Sequence, residues 1–167
     1  MRHTGPSLSP FNAWVLLKGL ETLKLRVEAE ARSAAAIAEA LHGMKGIARV
    51  YYPHHDSHRQ AALARRQMRM GGTLVSFDVE GGKKHAFDLM RNLAIIDISN
   101  NLGDAKSLIT HPATTTHRNI GPEARAAMGI GDGALRLSVG LEDTDDLIGD
   151  IRQALARSEE HTSELQS

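Results

Sequence analysis

The sequence contains no cysteine, which excludes a disulfide framework, a thiolate zinc site and a cysteine nucleophile. An excess of charge of one sign is lacking too. Twenty Lys and Arg stand against twenty Asp and Glu in 167 residues, a formal net charge of zero. No field strong enough to recruit nucleic acid or an anionic membrane arises from that balance. Aromatic residues make up only 4%, and no apolar run approaches the ~18 residues that span a bilayer. The opening residues MRHTGPSLSPF lack the apolar core of a signal peptide, so a cytoplasmic globular protein is the expectation. What is present suits one domain, or a piece of a larger one: 41% apolar and 24% charged residues, in a length that hides about 70% of its unfolded surface.

The last eleven residues, RSEEHTSELQS from Arg157 to Ser167, are the in-frame translation of a common sequencing-library adapter. They read as a cloning or assembly scar that says nothing about the fold. Without them nineteen basic residues face seventeen acidic ones, and the native protein is expected to continue, or end, near Ala156.

Hydrophobic periodicity predicts helices alternating with short strands. Ser9 can cap a helix that opens on Pro10 and carries Trp14, Leu16, Leu17, Leu20 and Leu23 at helical spacing. The pattern runs to Leu41, with Gly43 as a stop and a break expected near Thr22–Leu25. Strands are expected at 47–52, 73–79, 95–98, 107–109 and 134–139, and helices at 59–70, 83–93, 122–128 and from Asp143 onward. The mixture implies an α/β domain with helices covering a sheet.

Several clusters invite chemistry. His54, His55, Asp56 and His58 follow Pro53, but the spacing of a helical zinc motif is absent, and a contribution from His111 or His117 needs an unproven contact. A polar loop is the plainer reading. Arg65, Arg66 and Arg69 form a helical stripe without the aromatic neighbours that stack on bases, so a solvated or salt-bridged face is expected. Gly129-Ile130-Gly131-Asp132-Gly133 lies between a helix and a following strand, the reverse of a dinucleotide fingerprint, and reads as a helix stop and turn. Glu142, Asp143, Asp145 and Asp146 crowd a helix start, where carboxylates cap amides. Arg136 is the most informative residue. In the strand ALRLSV, Leu135, Leu137 and Val139 share one face and Arg136 and Ser138 the other. A guanidinium on a rigid strand can grip a carboxylate through two parallel hydrogen bonds, or make an ordinary salt bridge.

Longer blocks carry a resemblance. Residues 7–14 (SLSPFNAW), 19–23 (GLETL), 100–108 (NNLGDAKSL), 107–117 (SLITHPATTTH) and 135–148 (LRLSVGLEDTDDLI) resemble the Cys/Met-metabolism group of pyridoxal-phosphate enzymes. The group includes cystathionine γ-synthases and methionine γ-lyases, and the resemblance covers residues 4–156. Within it, blocks 100–108 and 114–117 look most like the members that act on O-succinylhomoserine with sulfide.

The resemblance implies the C-terminal small domain of a fold-type-I transferase, helices packed on a small, mainly antiparallel sheet and preceded by a long linking helix. Residues 1–24 would end the large-domain and linker region, 25–156 form the small domain, and 157–167 be the adapter tail. The resemblance gives Arg136 the substrate α-carboxylate, with Thr116 and Asn101 lining the same pocket. At 101 many relatives have serine followed by Leu-Gly-Gly, where this chain has Asn-Leu-Gly-Asp; a backbone amide there can still serve. The Schiff-base lysine and the phosphate cup would lie before Met1. None of the six lysines (18, 24, 45, 83, 84 and 106) has the family's surrounding sequence. The chain would hold no cofactor-binding residue and be inactive alone. The complete enzyme would be a PLP-dependent homotetramer of methionine biosynthesis, replacing succinate by sulfide to give homocysteine. From another class, a free-standing α/β module that binds a small acid or regulates a partner remains open. Reading the upstream DNA would separate the two.

Overall fold

A computed structural model describes the backbone of residues 7–164 and side chains from Ser7 to Ser158. The outermost residues of the first and last expected segments, 1–6 and 165–167, lie outside the described residues. Helix α1 spans Pro10–Glu21, and the Ser9 hydroxyl accepts the Asn12 amide at 3.2 Å as its cap. The expected break falls at Thr22, and α2 runs from Leu23 to Leu41. Arg26 bridges the break by donating to the Gly19 carbonyl at 3.0 Å and to the Thr22 hydroxyl. Helix α1 buries none of its residues, whereas α2 buries Ala31, Ala34, Ile37, Ala38 and Leu41.

The remaining elements are β1 (Ile47–Tyr51), α3 (Ala61–Gln67), β2 (Leu74–Val79), α4 (Gly82–Asn92), β3 (Asp97–Ile98), β4 (Leu108–Thr110), α5 (Pro122–Ala127), β5 (Ala134–Ser138) and α6 (Thr144–Glu164). The five strands form one sheet in the order β1-β2-β5-β4-β3, antiparallel except for the β3–β4 pair. Its inner face is apolar: Val50, Val75, Phe77, Ile109, Leu135 and Leu137 join a core with residues of α2, α4 and α6. Side-chain alternation then puts Arg49, Tyr51, Ser76, Asp78, Arg136 and Ser138 on the opposite, polar face. Register aligns Tyr51, Ser76, Arg136 and Thr110 in one row across four strands.

Two expected elements come out shorter, and one has a clear cause. The strand anticipated at 95–98 shrinks to Asp97–Ile98 because the amides of Ala94, Ile95 and Ile96 all donate to the Asp150 carboxylate, at 2.8–3.0 Å. Those amides face a side chain of α6 instead of a neighbouring strand. The helix expected at 59–70 is Ala61–Gln67.

Candidate functional site: an arginine on the polar face of the sheet

Arg136 sits on the third strand of five, so its backbone is fixed from both sides by β2 and β4. Its Nη2 donates to the carbonyls of Asn100 (3.0 Å) and Asn101 (3.2 Å), in the loop between β3 and β4. Its Nε is buried and has no hydrogen-bond partner. A buried donor left unpaired costs about 1–3 kcal/mol, so this N–H calls for an acceptor. No carboxylate of the described residues reaches Arg136, which settles the choice left open by the strand pattern against an internal salt bridge.

The guanidinium lines an open cavity of about 510 Å³ between the polar sheet face and the α5 segment. Arg49, Tyr51, His58, Asp78 and His117 share the lining. Tyr51 donates its hydroxyl to Asp78 Oδ2 at 2.7 Å, and the Arg49 guanidinium lies 5.3 Å from the Tyr51 ring centre. Burial, then the bond to Asp78, pushes the Tyr51 phenol up from its ordinary pKa. Asp78 Oδ1 is buried without a partner.

The other sequence-predicted residues fall close by. Asn101 meets Arg136 through its backbone carbonyl, while its own amide donates to Ser99 Oγ at 3.2 Å. Thr116 is not part of the cavity wall; its hydroxyl is 2.8 Å from Nδ1 of His117, which is. No lysine lines the cavity. Lys18, Lys24, Lys84 and Lys106 are ion-paired with Glu21, Glu28, Asp88 and Asp97. The cavity wall thus holds no lysine to which an aldehyde cofactor could attach, and one guanidinium N–H without a partner.

The remaining clusters are structural. His55 contacts Glu39 at 3.2 Å and stacks 4.5 Å from His42, and among the described residues no three potential ligands converge on a metal position. His111 is fully engaged: its Nε2 donates to the Asp132 carbonyl (2.8 Å), so Nδ1 accepts from Thr114 (2.9 Å). Arg65, on α3, pairs with Asp56 as a salt-bridged face would; Arg69 falls beyond the end of that helix and pairs with Glu28, so the three arginines form no single helical stripe. Gly129 ends α5 at φ 74°, and a side chain at Gly133 would meet the Val79 carbonyl at 2.5 Å, so the glycines serve a stop and a close approach. Asp143 caps α6 through the Asp145 amide at 2.9 Å. Glu142 departs from the capping expected of it. Its carboxylate takes the amide and hydroxyl of Ser107, at 2.7 and 2.8 Å. Neither this pair nor Asp150 was visible in the sequence, because their partners lie 35 and 54–56 residues away.

Fold and cavity define an α/β domain with a strand-borne guanidinium in the wall of an open cavity. The chain belongs to the Cys/Met metabolism PLP-dependent enzyme family, whose profile matches residues 1–156. It is 60% identical over 160 residues to an O-succinylhomoserine sulfhydrylase of Mycobacterium tuberculosis, covering 93% of this chain and 39% of that protein. An O-succinylhomoserine sulfhydrylase of Pseudomonas aeruginosa is 52% identical over 156 residues, with the same coverages. The crystal structure of a Campylobacter jejuni O-acetylhomoserine (thiol)-lyase, described as putative and carrying a pyridoxyl-lysine phosphate, superposes with a TM-score of 0.87. It shares 39% identity, over 93% of this chain and 37% of that one. The chain thus spans about two fifths of the length of the relatives it matches.

Proposed function

We propose that this chain is the substrate-carboxylate portion of a PLP-dependent O-succinylhomoserine sulfhydrylase, with residues 1–24 linking to a cofactor-bearing domain and 25–156 forming the small domain. The observation that carries the reading is the buried, unpartnered Nε of Arg136. Nε–H and Nη2 lie along one edge of the guanidinium, the fork that takes both oxygens of a carboxylate. The carbonyls of Asn100 and Asn101 hold Nη2 and leave Nε–H free, so a bound carboxylate would take Nε–H and share Nη2 with the two carbonyls. Asn101 then supports the arginine through its backbone, and Thr116, outside the cavity wall, holds the His117 ring that lines it.

PLP, when bound by the complete enzyme, supplies the electron sink for γ-replacement of succinate by sulfide. This chain's part is to fix the α-carboxylate and so orient the amino acid. Such positioning counts: a misplacement of about 1 Å can cost a hundredfold in rate. The complete enzyme would be a homotetramer making homocysteine for methionine synthesis, and this chain alone would be inactive.

The test is a hybrid in which the preceding part of the Mycobacterium tuberculosis relative is joined to residues 7–156. It should form homocysteine from O-succinylhomoserine and sulfide, while this chain alone should not. Arg136→Ala in the hybrid should raise KM about a hundredfold or more, the loss of two charge-assisted hydrogen bonds, with the cofactor absorbance intact. An unchanged KM would remove Arg136 from the carboxylate site.

A further inference from the structure

The guanidinium of Arg136 is aimed by a loop, and that loop is held by residues far from it. Residues 99–106 carry the two carbonyls that fix Nη2. Nearly all their side chains are exposed, so packing does not hold them. Polar staples do. Gly103 donates its amide to Ser138 Oγ at 3.0 Å, and Leu141 donates to the Ala105 carbonyl at 2.8 Å. At the loop's end Ser107 is completely buried. It donates its amide to Glu142 Oε1 (2.7 Å) and its hydroxyl to Oε2 (2.8 Å), and accepts the Gly140 amide at 2.9 Å. Gly140 lets the strands approach this closely: a Cβ there would lie 2.5 Å from both the Ala105 carbonyl and Glu142 Oε2.

We infer that Glu142 and Ser107 are positioning residues for the carboxylate-binding arginine. The inference rests on the carboxylate reading above. Glu142 occupies the corner between β5, which carries Arg136, and α6. A carboxylate that holds both donors of Ser107 ties the carbonyl-bearing loop to the same strand that carries the guanidinium. The distance between carbonyls and arginine is thereby fixed within one rigid unit, and the unpartnered Nε–H of the guanidinium is presented without a search over rotamers. Pre-set geometry of this kind lowers the ordering cost of binding. Without Glu142, the buried Ser107 amide and hydroxyl lose their acceptor, and the base of the loop is held only by the Gly103, Leu141 and Gly140 amides. Arg136 then keeps its charge but loses its fixed direction.

A double-mutant cycle in the hybrid enzyme decides the matter. Glu142→Ala should raise KM for O-succinylhomoserine about tenfold, and Ser107→Ala several-fold, with kcat changed less than about twofold. Glu142→Gln, which keeps an oxygen for the Ser107 amide, should recover most of the loss. On an Arg136→Ala background, Glu142→Ala should change KM less than about twofold, because residues acting through one another are not additive. An unchanged KM in the single variants overturns the inference. So does an effect that recurs in full without Arg136, the mark of a merely structural residue. Should Glu142→Ala fail to fold, Ser107→Ala, which retains its amide bond to Glu142, decides by the same cycle. If Arg136→Ala itself leaves KM unchanged, the carboxylate reading falls and takes this inference with it. If only the Glu142 and Ser107 variants are silent, the reading stands.

Discussion

Asp150 lies on α6 but serves the segment after α4. Buried among apolar neighbours, its carboxylate accepts three consecutive amides, Ala94, Ile95 and Ile96, and the Gln153 side chain at 3.1 Å. Burial alone would raise its pKa; the three amides and Gln153 outweigh burial and hold it below the usual carboxylate range. The sign follows from linkage. A depressed folded pKa adds stability that is fully present above the unfolded value of about 3.9 and is lost as pH falls through the folded pKa. Asp150→Ala strands the three amides and should cost about 3 kcal/mol at neutral pH, whereas Asp150→Asn, which keeps one acceptor, should cost about half that. Urea unfolding at pH 7 and again below pH 3 checks both, and the cost should shrink in acid. An equal cost at both pH values would mean that charge plays no part. At this scale the sequence was readable only where the signal was local. Arg136 stood out because strand alternation set it against Leu135 and Leu137, and both leucines are fully buried. Asp150 and Glu142 looked like ordinary helix acids, since nothing within a few residues announces a partner 35 or more positions away.

Among the elements, α1 is the one whose own pattern is not satisfied. Its cap and proline start are in place, yet Phe11, Trp14, Leu16, Leu17 and Leu20 are all more than half exposed, and its nearest aromatic contact is internal, Phe11 to Trp14 at 6.1 Å. Most helical stability in proteins comes from packing an apolar face, and an apolar patch this continuous promotes association when uncovered. The chain by itself should therefore self-associate at micromolar concentration. Replacing Trp14, Leu17 and Leu20 together by serine should return it toward monomer in sedimentation velocity, with little change in the melting of the remaining fold. Association that persists undiminished would place the sticky surface elsewhere. The elements themselves were largely legible: the break at Thr22, the strand at 134–138 and the capped α6 follow from local spacing. The strand order β1-β2-β5-β4-β3 was not, because pairing β2 with β5 joins residues some sixty positions apart through hydrogen bonds that carry no sequence signature.

The molecule as a whole divides its sheet between two tasks. One face is closed by α2, α4 and α6 around Phe77, Leu135 and Leu137, and supplies stability. The other stays polar, keeps two buried atoms without partners, and faces a cavity. That division also bears on where the folded unit stops. Helix α6 continues to Glu164, and among the described residues its last contributions to the core cluster are Ile151, Ala154 and Leu155. Beyond Ala156, Ser158 is buried, and its hydroxyl donates to the Leu155 carbonyl at 2.8 Å. Ending the chain after Ala156 removes one small buried side chain, Ser158, and should lower the unfolding free energy by no more than about 1 kcal/mol. Residues 1–156 and 1–167 compared by urea denaturation under one buffer measure it. A loss of about 2 kcal/mol or more would make the adapter-like tail part of the folded unit.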